Sequence, residues 1–340
     1  MKKKLLVLAV GAAMAAPAMA ADVSIYGRAH VSADYLDVKN TDINKLNLSS
    51  NASRIGFKAE DTFGDITAFM QLEQEYNTLQ GNETKSEFAT RNTFVGVKGD
   101  WGLVRAGRFD TPFKAARGPA NLFNNQVGDL RSIFGGLENE FDTRKDNTIH
   151  VQSPSYDGLQ INLAYSVHEG QENVRHGEDR NDQSYSVSVT YEQDIFDAAL
   201  AYMRYENTKA DAVRLAGAAQ LTDEFKAVAF YQHNGHHAEL NDANIYGVGG
   251  EFAVLESTSL KGMYMGRDGK RASQHADLLV VGVEHRIADP LRVYANYAYA
   301  FNEKNADVKP WANQSRSNSI VDTAVGEDTQ GLSVGLRYDF

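Results

Sequence analysis

The segment Val23-Ser24-Ile25-Tyr26-Gly27-Arg28-Ala29-His30-Val31-Ser32-Ala33-Asp34-Tyr35 sets apolar or small side chains at odd positions and mostly polar ones at even positions. A period of two belongs to a strand with one apolar and one polar face. The pattern returns along the chain. Ile66, Ala68, Met70 and Leu72 alternate with Thr67, Phe69, Gln71 and Glu73, and Leu159, Ile161, Leu163, Tyr165 and Val167 with Gln160, Asn162, Ala164, Ser166 and His168. Tyr185, Val187, Val189 and Tyr191 face away from the serines at 184, 186 and 188. Leu291, Val293, Ala295, Tyr297 and Tyr299 face away from Arg292, Tyr294 and Asn296, and Leu332 to Phe340 close the chain in the same phase. Segments 88–98, 197–205, 225–232 and 278–286 read as strands without a clean phase, and their faces stay unassigned.

The connections sort by length. Short ones fall near Asp61–Gly64, Asp100–Gly102, Pro154–Gly158, Gln193–Ile195, Thr222–Glu224, Leu255–Thr258 and Ala288–Pro290. Between them lie longer polar ones: Asp37–Asn51, Asn77–Glu87, Asp110–Thr143, Glu169–Asp182, Glu206–Ala210, Asn234–Asn244, Asp268–Ala276 and Asn302–Asp328. Fifteen connections in strict alternation predict sixteen strands with both ends on the short-turn side. That is the layout of an antiparallel transmembrane β-barrel, with short periplasmic turns and longer external loops. A soluble β-sandwich has no reason to sort its loops this way. A sheet in lipid must close, because each unpaired backbone group there is costly. Sixteen strands leave an aqueous channel.

Composition agrees with export. Lys2-Lys3-Lys4, the apolar run to Ala16 and the small-x-small site Ala18-Met19-Ala20 read as a signal peptide over residues 1–20, leaving a barrel over 21–340. Without those lysines, 31 basic side chains stand against 45 acidic ones, a net charge of −14. This argues against a nucleic-acid partner, which normally needs a basic surface. The sequence has no cysteine, so thiol and cysteine-based zinc chemistry are out. The rest of the chain has no run of about eighteen apolar residues to make a transmembrane helix.

The connection from Asp110 to Thr143 far exceeds what a link needs, and loops of this length are usually functional. Leu122, Phe123, Val127, Leu130, Ile133 and Phe134 are too many apolar residues for a solvated tail. The loop either folds into the lumen or lids its mouth. Four arginines stand out nearby. Arg28, Arg54 and Arg144 lie on polar strand faces, and Arg108 ends a strand in Gly107-Arg108-Phe109-Asp110. A charge on the lipid face at mid-depth costs about 2–4 kcal/mol, which favours the lumen for each. Arg105 has the opposite parity to Arg108, so one of the two points outward unless the strand is bulged.

Tyr26-Gly27-Arg28, Ser53-Arg54-Ile55-Gly56-Phe57-Lys58, Gly107-Arg108-Phe109-Asp110-Thr111-Pro112, Arg144-Lys145-Asp146-Asn147-Thr148 with Ser153-Pro154, and the terminal Tyr338-Asp339-Phe340 occur in one order. In these motifs the chain resembles the trimeric general-diffusion porins of proteobacteria from end to end. The resemblance implies an outer-membrane homotrimer whose barrels are each narrowed by the third external loop, here 110–143. It implies a pore-constriction wall of Arg28, Arg54, Arg108 and Arg144 facing acidic loop residues, with Asp129, Glu138, Glu140 and Asp142 as candidates. It implies that Phe340 is the assembly signal read by the barrel-insertion machinery; otherwise Phe340 is one more residue of the aromatic girdle in outer-membrane lipid.

Enzyme signatures are thin. His233, His236 and His237 share an Asn-Gly loop without a carboxylate or cysteine at ligand spacing. No phosphate-binding Gly-Lys motif or nucleophile elbow occurs, and no cofactor is expected. The expected function is passive diffusion of ions and small hydrophilic solutes. The alternatives are a substrate-specific channel for a sugar or an organic acid, and a barrel used for adhesion or as an enzyme.

Overall fold

The structure is a computed structural model that describes residues 22–79, 89–134, 141–167, 183–235, 242–270, 273–312 and 324–340. The leader read over 1–20 lies outside them.

Strand β1 (Asp22–Val38) opens the barrel, and β2 (Asn44–Ser50) and β3 (Arg54–Phe63) both pair with it. The next strands are β4 (Ile66–Glu75), β5 (Thr93–Gly99), β6 (Gly102–Asp110), β7 (Arg144–Gln152), β8 (Leu159–Ser166) and β9 (Ser184–Gln193). Then come β10 (Phe196–Tyr205), β11 (Asp211–Gln220), β12 (Phe225–Gly235), β13 (Ala243–Leu255) and β14 (Thr258–Gly269). β15 (Ala276–Ala288), β16 (Leu291–Asn302) and β17 (Thr329–Asp339) complete the wall. Every neighbour is antiparallel, and β17 returns to β1 with Arg28 opposite Asp339 and Val38 opposite Thr329. The sheet has no free edge, as a bilayer demands.

The wall is sixteen strands around, with one of them broken. Residues 37–51, expected to be a single loop, contain β2, whose Leu46 and Leu48 point outward while Asn47 and Ser49 point inward and are buried. β2 and β3 are two halves of one stave, interrupted at Asn51-Ala52-Ser53, where Ala52 takes φ 56°. The expected loop was too long because polar Asn and Ser flank the two leucines and dilute a short alternation.

One face of the wall carries a continuous apolar belt. Val23, Ile25, Leu163, Leu200, Leu215, Val248, Leu279 and Val334 are all exposed on it. The opposite face bears the buried His30, Asp34, Asn162, Ser188, Arg214 and Asn296. Polar groups turned inward and apolar groups turned outward reverse a water-soluble protein and match a lipid-embedded barrel. Short turns gather at one end together with both ends of the wall, where Gly27 and Phe340 exchange backbone hydrogen bonds of 2.8 and 3.1 Å.

The segment between β6 and β7 builds a core of its own. Helix α1 (Pro112–Ala115) is capped by the Thr111 hydroxyl, which accepts from the Lys114 N–H at 3.2 Å, and Pro112 fits the first turn. A 3₁₀ turn (Gly118–Ala120) and helix α2 (Arg131–Phe134) follow. Phe123, Val127, Leu130 and Ile133 are fully buried in one cluster with Met265, Val280 and Ala298 of the wall. Gly128 holds φ +91°, and a Cβ there would lie 2.2 Å from Val280 Cγ1. Only glycine seats the loop so close.

A cationic cavity between the loop and the wall

Alternation turns Arg28, Arg54 and Arg144 away from the apolar belt, as their parity predicts. Arg28 and Arg54 sit directly opposite one another on β1 and β3. Like charges across a ladder repel, and a carboxylate on the far side of each relieves the pair. Arg28 Nε lies 2.6 Å from Asp339 Oδ1, and Arg54 Nε lies 3.4 Å from Glu73 Oε2. Arg144 Nη2 meets Asp110 Oδ1 at 2.9 Å, and its Nε donates to Asn92 Oδ1 at 2.7 Å.

A bulge settles the parity conflict between Arg105 and Arg108. The β6–β7 register shifts between Gly107 and Phe109, with Gly107 at φ +148° and Asn147 at φ 47°. The extra residues swing Arg108 to the same side as Arg105. Arg108 Nη1 pairs with Asp146 Oδ1 at 2.5 Å. Arg105 Nε donates to His150 Nδ1 at 3.0 Å, and its guanidinium lies 4.5 and 4.3 Å from the ring centres of Phe94 and Phe109.

All four expected arginines line one cavity of about 430 Å³, together with Asp142. Arg91, Lys114, Arg117 and Arg131 line it too, none of them singled out from the sequence. Lys114 sits on α1, Arg117 between α1 and the 3₁₀ turn, and Arg131 on α2, where no strand parity aims a side chain. Glu75 and Asp110 are the other carboxylates of the lining. Eight cations therefore face three carboxylates. Adding the described groups that pair with them from behind (Arg214, Glu73, Asp129, Asp146 and Asp339) leaves nine cations against seven carboxylates. Among the described residues the cavity is net positive, in a chain that is net negative.

The acidic candidates divide. Asp142 lies at the cavity, with Oδ2 2.5 Å from Arg117 Nη1 and Oδ1 2.6 Å from Arg214 Nη1. Burial alone would raise this carboxyl, but Arg117 and Arg214 hold it below the ordinary carboxylate range. Asp129 is fully buried within the loop. Its oxygens accept from the Asn125 and Arg131 N–H groups at 2.6 and 2.8 Å and pair with the Arg131 guanidinium. It braces the loop and does not line the cavity. Glu138 and Glu140 lie outside the described residues, as do His236 and His237, while His233 Nδ1 meets Asn244 Oδ1 at 2.9 Å.

The loop is held at points far apart around the wall. Phe113 N–H donates to Ser186 Oγ of β9 at 2.8 Å, and Asn296 Nδ2 of β16 donates to Gln126 Oε1 at 2.7 Å. Gly128 N–H donates to the Pro310 carbonyl at 2.7 Å, tying this loop to the one before β17. Each wall residue in these bonds lies on the face opposite the belt.

A closed antiparallel barrel with an outer apolar belt, an inner face partly polar and partly packed on the loop, and a charged cavity defines a bacterial outer-membrane channel. The chain belongs to the Gram-negative porin family, whose profile matches residues 6–305. It is an outer-membrane porin. It is 24% identical over its full length to outer membrane porin protein 32 of Delftia acidovorans, whose full length is also covered. It is 29% identical over 222 residues to the major outer membrane protein P.IB of Neisseria gonorrhoeae, covering 62% of this chain and 60% of that protein. The fold is similar to that of an anion-selective porin from Comamonas acidovorans, with a TM-score of 0.81 and 19% identity over 94% of this chain and 100% of the other.

Proposed function

We propose that the mature chain, residues 21–340 after cleavage of 1–20, forms a homotrimer of open pores that pass small hydrophilic solutes with a preference for anions. The 110–143 loop narrows each lumen. Arg28, Arg54, Arg108 and Arg144 form the wall of the constriction, and Asp142 is the acidic member opposite them. Asp129 stiffens the loop. Phe340 addresses the chain to the insertion machinery that places the barrel in outer-membrane lipid.

The observation that carries the reading is the lining of the cavity, eight cations to three carboxylates. Many of the cations are ion-paired, so the field is moderate. Two unit charges about 8 Å apart interact by roughly 0.5 kcal/mol in water and about 2 kcal/mol at an effective dielectric near 20. Such a field biases ions by a few-fold to about thirtyfold and does not trap them. The test is the reversal potential of the purified protein in a planar bilayer under a tenfold KCl gradient. Chloride is expected to be the more permeant ion, by a few-fold at low salt. A potential of cation-selective sign at low salt overturns the preference.

A further inference from the structure

A second cavity, of about 560 Å³, lies on the other side of α1 from the arginine cluster. Asp110 lines both, so the two adjoin. Its wall residues Arg105, Gln152, Gln160 and Thr190 come from the parts of β6 to β9 nearest the short turns.

Among the described residues Arg105 is the only arginine of this lining, and it is held as a preformed receptor. Phe94 and Phe109 stack on its guanidinium at 4.5 and 4.3 Å, and His150 fixes Nε at 3.0 Å. Its two terminal amino groups make no hydrogen bond among the described residues. A planar, oriented fork of N–H donors is the standard partner of a carboxylate.

The neighbouring wall is ordered and part of its hydrogen-bonding capacity is spare. His150 Nε2 meets Asn162 Oδ1 at 3.2 Å, and Gln152 Nε2 donates to Gln160 Oε1 and Asn162 Oδ1, each at 2.8 Å. These bonds use the Asn162 carbonyl and leave its amide N–H₂ uncommitted. Ser188 lies directly opposite Asn162, and Thr190 directly opposite Gln160. Both residues line the cavity without a side-chain partner for their hydroxyls among the described residues, Ser188 buried and Thr190 partly exposed. A fixed guanidinium, a spare amide donor and two spare hydroxyls match a carboxylate whose carbon chain carries hydroxyl groups. Asp110, Glu192 and Asp197 on the same lining face only Arg105 and Lys226 among the described residues, so a single carboxylate seats on the Arg105 fork and a second one is repelled.

The geometry points to a transit station for hydroxylated monocarboxylates, sugar acids in chemical class, built on Arg105, Asn162, Ser188 and Thr190. The inference rests on the reading of the lumen as an open aqueous path. Binding must be weak enough to let the solute leave, so occupancy is read as partial block of the ion current.

The experiment uses the full-length protein in planar bilayers at 0.1 M KCl with sodium gluconate as probe. Gluconate is expected to reduce the current at concentrations about tenfold lower than glucose, which lacks the carboxylate, or acetate, which lacks the hydroxyls. Glucarate, with a second carboxylate, is expected to block more weakly than gluconate. R105Q should raise the half-blocking concentration about tenfold. N162L provides a second route if R105Q makes no channels, and should raise it several-fold. Equal block by gluconate, acetate and glucarate overturns the proposal, as does unchanged block in the variants. So does loss of block in R54Q with block retained in R105Q, which would move the station to the arginine cluster. The KCl conductance without gluconate reports separately whether the pore itself is open.

Discussion

Arg214 of β11 and Asp142 at the end of the long loop meet at 2.6 Å, although 72 residues separate them in the chain. Arg214 also donates to the Phe113 carbonyl at 3.1 Å and lies 4.3 and 4.6 Å from the ring centres of Phe113 and Phe134. One buried guanidinium therefore holds the start, the middle and the end of the loop against the wall. Its remaining edge is taken by Gln232, with Nε 2.8 Å from Oε1.

Replacing Arg214 with Met is expected to release the loop without opening the barrel. Asp142 keeps Arg117, but the bonds to the Phe113 carbonyl and Gln232 are lost as well, so the loss is at least that of one charge-assisted contact, about 1.5–3 kcal/mol. At a fixed heating rate the native gel band should be lost several degrees lower, and the open-channel current should become noisier. In R214M/D142N the two losses should be less than additive, since each removes the same contact. Full additivity would show that the pair is not coupled.

Neutralising Arg54 and Arg108 together, as Gln, should move the reversal potential toward cation preference. The shift should be larger at 0.05 M than at 1 M KCl, because the Debye length contracts to about 3 Å at 1 M. If conductance and reversal potential both stay unchanged at low salt, these residues do not border the ion path.

Lys114 gives the pore a pH dependence in an accessible range. Burial, opposed by Asp110 and reinforced by Arg144 and Arg117, pushes its ammonium down to about 8. Below that pH the group is charged and adds to the cationic lining; above it the charge is lost. Chloride preference should therefore fall between pH 7 and pH 9, and K114M should flatten that fall. A wild-type reversal potential constant over this interval, or a K114M variant that keeps the change, would refute the assignment.

Phe340 closes the seam between the two ends of the wall. Its N–H and carbonyl both pair with Gly27, and its half-exposed ring stacks with Tyr338 at 5.8 Å. Deleting it should cut the yield of heat-modifiable trimer in outer membranes several-fold, while urea-unfolded protein still refolds in detergent. Normal yield in cells would leave Phe340 as a girdle residue alone.

What local sequence determined was the wall. In a strand, successive side chains must point to opposite faces, so Arg28, Arg54 and Arg144 could be turned inward by counting from their apolar neighbours. Loop lengths alternate for an equally local reason, and turns such as the one between Leu255 and Thr258 fall where Glu and Ser interrupt the alternation. β2 escaped because two leucines among Asn and Ser make too short a pattern. Only the tertiary structure decided the site. Arg108 turns inward through a bulge, which depends on the register with β7 and not on its own strand. Arg91, Lys114, Arg117 and Arg131 lie in connecting segments and one-turn helices, where no strand period aims a side chain. The bond between Asp142 and Arg214, and the stacking of Arg105 on Phe94 and Phe109, exist only once the sheet has closed. Closure brings charges distant in sequence together inside one barrel, where each finds a partner that its own neighbourhood does not contain.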